Sequence, residues 1–140
     1  MKSISANLDR APALIGRILI AVIFIFSGLG KVATPDATIG YVTAVGVPAP
    51  LLGYIAATVL ELAGGVLLVV GYQTRVIALL LAAYSIITAL IFHHAFGDQN
   101  QMFHFLKNVA MAGGLIQVVA FGAGAYSFDN RRLTSSTRAA

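Results

Sequence analysis

The sequence contains no cysteine. That excludes disulfides, thiolate metal ligands and dithiol redox chemistry by the chain itself, so any electron transfer would need a bound cofactor. Charge is scarce as well: Asp, Glu, Lys and Arg make up 10% of the 140 residues and hydrophobic residues 59%, where a soluble globular protein is about a quarter charged. The few charges cluster between long apolar runs instead of recurring at helical or strand spacing, and the mean hydropathy is +0.88. Lipid rather than water is the expected solvent. The net charge of +4 does not argue for nucleic acid, because the basic residues sit mostly at the two ends and in one tight turn.

Four apolar runs predict an all-α polytopic membrane protein, a single-domain four-transmembrane-helix bundle with spans at about 14–31, 51–70, 76–92 and 103–121. The first run is broken only by Arg17 and ends at Lys31. It lacks a small-x-small cleavage site and is followed by further spans, so it reads as a retained helix and not a secretory signal. Residues 32–50 carry Pro35, Asp36, Gly40, Gly46, Pro48 and Pro50, which predict turns in a first extramembrane loop. Residues 71–75 leave room only for an antiparallel helical hairpin. His93 to Gln101 form a second polar connection. The tails, 1–12 and 129–140, are expected on the cytoplasmic side; Gly122, Gly124 and Tyr126 lead into the second, whose Arg131, Arg132, Thr134, Ser135, Ser136 and Arg138 predict a solvated, mobile end. Ala63-Gly64-Gly65 is echoed 49 residues later by Ala112-Gly113-Gly114, a faint sign of duplicated hairpins. These glycines favour close helix packing, with space for a flat ligand as the alternative.

Glu61 is the most informative residue. It lies about ten residues from either end of its span, roughly 15 Å deep, where a charge is penalised by at least about 2.5 to 3.5 kcal/mol. It should therefore face the interior and pair, bind something or carry a proton; a packing salt bridge is the structural alternative. Arg17, Lys31 and Lys107 are the possible cationic partners. Counting residues puts Arg17 and Lys107 each roughly two turns from Glu61 and leaves Lys31 to snorkel to the headgroups. His93, His94 and His104 bracket the second loop, but their spacing, with no carboxylate or thiolate to complete a set, gives no metal site. Hydrogen bonding, proton transfer or quinone contact suits them better. Lys107, Asn108 and Gln117 make the last span polar and should face inward.

Several features recur in order: Arg17, then Phe26-Ser27-Gly28 and Lys31; Gly46-Val47-Pro48; Glu61-Leu62 and Gly64-Gly65; Gly71, Thr74-Arg75; Phe92-His93; Lys107-Asn108 and Gly113-Gly114; and the Gly124-Ala125-Tyr126-Ser127 exit. In order and spacing the chain resembles the DoxX family from about Leu14 to Asp129, and looks closest to bacterial inner-membrane members. The resemblance implies four helices in the inner membrane and a link to quinone-reducing oxidoreductases. It makes Arg17, Glu61, His93 and Lys107 the candidate catalytic positions. His93, Lys107 and Asn108 are the candidate cofactor contacts, with a quinone as the cofactor. A buried glutamate can exchange protons near neutral pH, while Lys107 or His93 would hold a quinone carbonyl. No flavin, haem or iron–sulfur motif is present, so two alternatives stand: a non-enzymatic subunit anchoring a soluble redox or stress-response enzyme, and a channel or carrier built as a homo-oligomer.

Orientation follows from the connections. Lys2, Arg10, Arg75, Arg131, Arg132 and Arg138 put six basic residues on one side, against Lys31 and Lys107 on the other. By the positive-inside rule both termini are cytoplasmic. Topology reporters fused after Arg138 or inserted near Gln73 should read cytoplasm and one near Asp98 should read periplasm; a periplasmic C-terminus would refute the assignment.

Overall fold

The computed structural model describes residues 11–132. It contains five helices: α1, Ala11–Ala33; α2, Pro35–Ala44; α3, Pro50–Val70; α4, Thr74–Phe92; and α5, Gln99–Phe121. All but α2 are long and apolar enough to cross a membrane, and no strand occurs among the described residues. The surface is correspondingly inverted. Leu19, Phe26, Leu52, Val59 and Phe121 point outward, whereas Arg17, Thr58, Glu61, Thr74 and Ser85 are buried. In a bilayer this puts hydrocarbon against hydrocarbon and leaves the polar groups to satisfy one another inside.

The long helices pack most closely as two sequential hairpins, α1 with α3 and α4 with α5. The hairpins meet at the end of the bundle that carries the 71–74 turn. There Gly64 receives Leu81, and Gly114 receives Ile20; a Cβ on Gly65 would lie 2.6 Å from Ile25. Ala21, Phe24, Leu68, Ala78, Leu81, Ala82, Ala112 and Leu115 form the apolar core at this end. Toward the opposite end the hairpins diverge.

Two segments are more ordered than their composition predicts. In the expected loop at 32–50, Pro35 opens α2 and Pro50 opens α3, both in the first turn, where a missing N–H costs nothing. Asp36 in the first turn of α2 complements the helix dipole. The same prolines that read as turn formers therefore mark helix starts. The last span also starts earlier than its apolar run, at Gln99, because the Asp98 carboxylate accepts the Asn100 N–H and caps it.

The second segment follows Gly122. Residues 122–132 fold back onto the α3–α4 turn, and the rest of the tail expected to be solvated, from residue 133, lies outside the described residues. Asp129 accepts the N–H groups of Gln73 and Thr74 at 2.9 and 2.8 Å, capping α4 from outside it, and its own N–H returns to the Gly71 carbonyl. Burial alone would raise the Asp129 carboxyl, but the Thr74 and Gln73 hydrogen bonds and nearby Arg132 hold it below its usual value. The clamp is thus complete above the ordinary carboxylate pKa and is released only as pH falls through the lowered one. Arg17, 1% exposed, donates to the Leu68, Val69 and Tyr126 carbonyls, tying α1, the end of α3 and the returning segment together. Gly71 is required twice over at this junction. Its φ is +71°, and a Cβ would lie 2.5 Å from Ser127 and 2.6 Å from the Arg17 guanidinium. The outer parts of both tails, including Lys2, Arg10 and Arg138, lie outside the described residues.

Candidate functional site

Where the hairpins diverge, they enclose a cavity of about 810 Å³. Its walls are mostly apolar, with Ile23, Phe24, Leu60, Ile87, Ile91 and Met111 among them, and α2 covers one side, its Tyr41 ring 5.4 Å from that of Phe92. Its charged and imidazole groups fall in two clusters.

The first is built on α1, α3 and α4. Gly28 lets α1 approach α3 so closely that a Cβ there would lie 2.7 Å from Leu62. That contact sets Ser27 and Lys31, one turn apart on the same face of α1, beside Glu61. Lys31 Nζ contacts both carboxylate oxygens of Glu61, at 2.9 and 2.7 Å, and donates to Ser27 Oγ at 2.8 Å. The hydroxyls of Ser27 and Tyr84 donate to Glu61 Oε1 at 3.1 and 2.7 Å. The ammonium has three N–H bonds to give, and all three are accounted for. Glu61, 3% exposed, is thus an ion-paired carboxylate with hydroxyl donors around it.

Lys31 therefore does not snorkel to the headgroups. Residue counting failed because it assumed helices flush with each other. Gly28 is level with Glu61 and Leu62, yet α1 continues only to Ala33 while α3 begins back at Pro50, so α1 stops roughly 9 Å short of the start of α3. Lys31 is consequently inside the bundle, one turn from Glu61.

The second cluster is at the cavity's outer end. The His93 and His104 rings stack with centroids 5.0 Å apart. His93 Nδ1 is 2.9 Å from Gln101 Oε1, and since that oxygen only accepts, Nδ1 carries the proton. Lys107 Nζ is 3.2 Å from His104 Nδ1, so this nitrogen accepts and the His104 proton sits on Nε2. Asn108 fastens back onto the His104 carbonyl, and His94 turns to the Ile91 carbonyl. Among the described residues no three His, Cys, Asp or Glu side chains are grouped as a metal would require.

Of the residues singled out from sequence, Glu61, His93, Lys107 and Asn108 line one cavity, and Arg17 is at the other end of the bundle on backbone carbonyls. Gln117 is exposed, against expectation, because the buried face of α5 runs through Ala112 and Leu115 and a residue two positions on points the opposite way. Tyr84 was missed. Its only signal is a ring with a polar tip inside an apolar run, which needs a partner when buried.

A membrane-spanning helical bundle with a ligand-sized cavity between two hairpins, floored by a buried ion pair, is the class of protein these features define. The chain belongs to the DoxX family, whose sequence profile matches residues 13–94, from the start of α1 to the end of α4. It is 35% identical over 123 residues to the inner membrane protein YqjF of Escherichia coli (strain K12), covering 88% of this chain and 93% of that one. It is 39% identical to the inner membrane protein YphA of the same organism, covering 84% and 88%. No solved structure matches significantly.

The ion pair can be tested by a double-mutant cycle. Glu61→Gln keeps one carbonyl oxygen to accept from Tyr84 and Ser27 and should be tolerated better than Glu61→Leu, which should cost on the order of 1 to 3 kcal/mol of stability in detergent. Adding Lys31→Met to Glu61→Leu should recover part of that loss. Additive effects of the two substitutions would mean that the residues are not paired.

Proposed function

We propose that the protein is an inner-membrane component of a quinone-linked oxidoreductase and binds the quinone ring in the cavity between its hairpins, with both termini cytoplasmic. One observation carries the reading. A cavity with apolar walls has a cationic, donor-rich cluster at its outer end and a carboxylate with a hydroxyl donor at its floor. A flat molecule with two carbonyl oxygens matches that distribution, since its ring replaces lipid against the walls while its oxygens need donors.

The bonding pattern supports a division of roles. Lys107 has N–H bonds beyond the one given to His104, and His104 offers Nε2–H, so these two donate to one carbonyl oxygen. His93 orients His104 by stacking on it and is itself fixed by Gln101. At the floor, Tyr84 and Glu61 both line the cavity, with Tyr84 Oη donating to Glu61. A proton passed to or from Glu61 through this hydroxyl leaves no net charge on Tyr84, and Lys31 balances the carboxylate throughout. Reducing a quinone to a quinol takes two electrons and two protons. The floor relays protons, and the electrons come from a soluble redox partner, because the cysteine-free chain supplies no thiol reductant. Arg17 serves this reading indirectly, by holding the closed end of the bundle.

Lys107→Ala should weaken quinone retention in gently extracted protein by roughly tenfold or more, the worth of one charge-assisted hydrogen bond. Glu61→Gln should leave retention nearly intact and slow proton-coupled turnover in membranes. Parent protein that never carries quinone by mass spectrometry, or two variants that match the parent in both assays, would overturn the reading in favour of an anchoring subunit.

A further inference from the structure

The opposite end of the bundle carries a second recess that quinone chemistry does not use. It has a volume of about 820 Å³ and lies between the start of α4 and residues 121–132. Arg75, the second residue of α4, lies with its guanidinium over Gly122, Nε and Nη2 at 3.5 and 3.6 Å from the position a Cβ would take. No hydrogen bond or ion pair holds it among the described residues. Arg132 lines the same recess, its guanidinium 5.7 Å from the Tyr72 ring. The carboxylate there, Asp129, is turned to the N–H groups of Gln73 and Thr74. Arg75 is therefore the guanidinium at the recess without a protein partner among the described residues, and Arg132 adds a second positive charge to its wall.

The surroundings narrow the ligand. Val76 and Phe121 line the recess and are 55% and 80% exposed, on helices that span the membrane. Tyr72, Tyr126 and Phe128 are exposed at the same level, the aromatic signature of a headgroup layer. A small soluble anion would leave Val76 and Phe121 uncovered. A lipid would place an acyl chain along them and its phosphate at the arginine, whose planar fork suits phosphate oxygens and is less hydrated than an ammonium.

The geometry points to a binding site for one anionic phospholipid, its phosphate held by Arg75 with Arg132 beside it and its chain laid against Val76 and Phe121. The site is independent of the cavity at the other end.

The test is native mass spectrometry of the full chain in detergent, offered phosphatidylglycerol and phosphatidylcholine with the same acyl chains. The parent should retain phosphatidylglycerol preferentially. Arg75→Gln should lower that retention about fivefold, the worth of one basic contact at a membrane surface; Arg75→Lys should restore part of it, and Lys107→Gln at the far end should leave it unchanged. Equal retention of both lipids by the parent would overturn the proposal, as would Arg75→Gln behaving like the parent or Lys107→Gln causing the same loss. The parent's lipid preference does not depend on any variant folding, and a thermal shift of the parent with phosphatidylglycerol over phosphatidylcholine reads the same binding in a second way.

Discussion

A carboxylate at mid-membrane has to be compensated where it stands, and in this chain the compensation organises half the bundle. Glu61 is satisfied by an ammonium from α1 and hydroxyls from α1 and α4, so three helices must keep their heights and rotations relative to one another for the cluster to exist. Lipid offers no substitute donors, and an unpaired charge there costs several kcal/mol. The close Gly28–Leu62 contact sets the height of α1 against α3, and the cluster then locks the rotations of α1, α3 and α4 about Glu61. Arg17 plays the matching part at the other end, where its guanidinium closes off carbonyls at the end of α3.

Between these two anchors the hairpins behave differently along their length. Glycine at positions 64, 65 and 114 lets large aliphatic side chains of the neighbouring helices enter, and the hairpins close. Beyond Glu61 the facing positions are Tyr54, Ala57, Tyr84 and Thr88, with α2 covering the side, and the space between them stays open. The cavity is thus a consequence of where small residues stop, and its polarity follows from where the charges had to be paired. A membrane protein that binds a lipid-soluble molecule needs both: walls no more polar than the bilayer the ligand leaves, and a few donors that the bilayer cannot offer.

The four spans, the interior placement of Glu61 and the gathering of His93, Lys107 and Asn108 were all legible in the sequence, because apolar run length and the cost of intramembrane charge are local properties. The partner of Glu61 was not. Lys31 looks like a residue at the membrane surface until the stagger of α1 against α3 is known, and the stagger is set by Gly28 meeting Leu62, a contact that no spacing rule announces. Helix α2 was hidden by its prolines, which mark a helix start and a turn equally well. Tyr84 was hidden among the apolar residues of α4, and Asp129 lay in a segment whose composition resembles a free tail but whose carboxylate completes the α4 cap. For Lys31, Tyr84 and Asp129 the missing information was a tertiary partner.

The bundle is closed at one end and open around the Glu61 cluster at the other, and the absence of native cysteine makes this difference directly measurable. Single cysteines can be introduced at Thr88 and Asn108, which line the cavity, and at Ala82 and Ala112, which are buried in the closed half. Each variant in sealed membranes is then exposed to a small water-soluble methanethiosulfonate reagent. Thr88→Cys and Asn108→Cys should be modified from the His93–Lys107 side while Ala82→Cys and Ala112→Cys stay protected. Equal protection at all four positions, or modification of the closed half first, would contradict it.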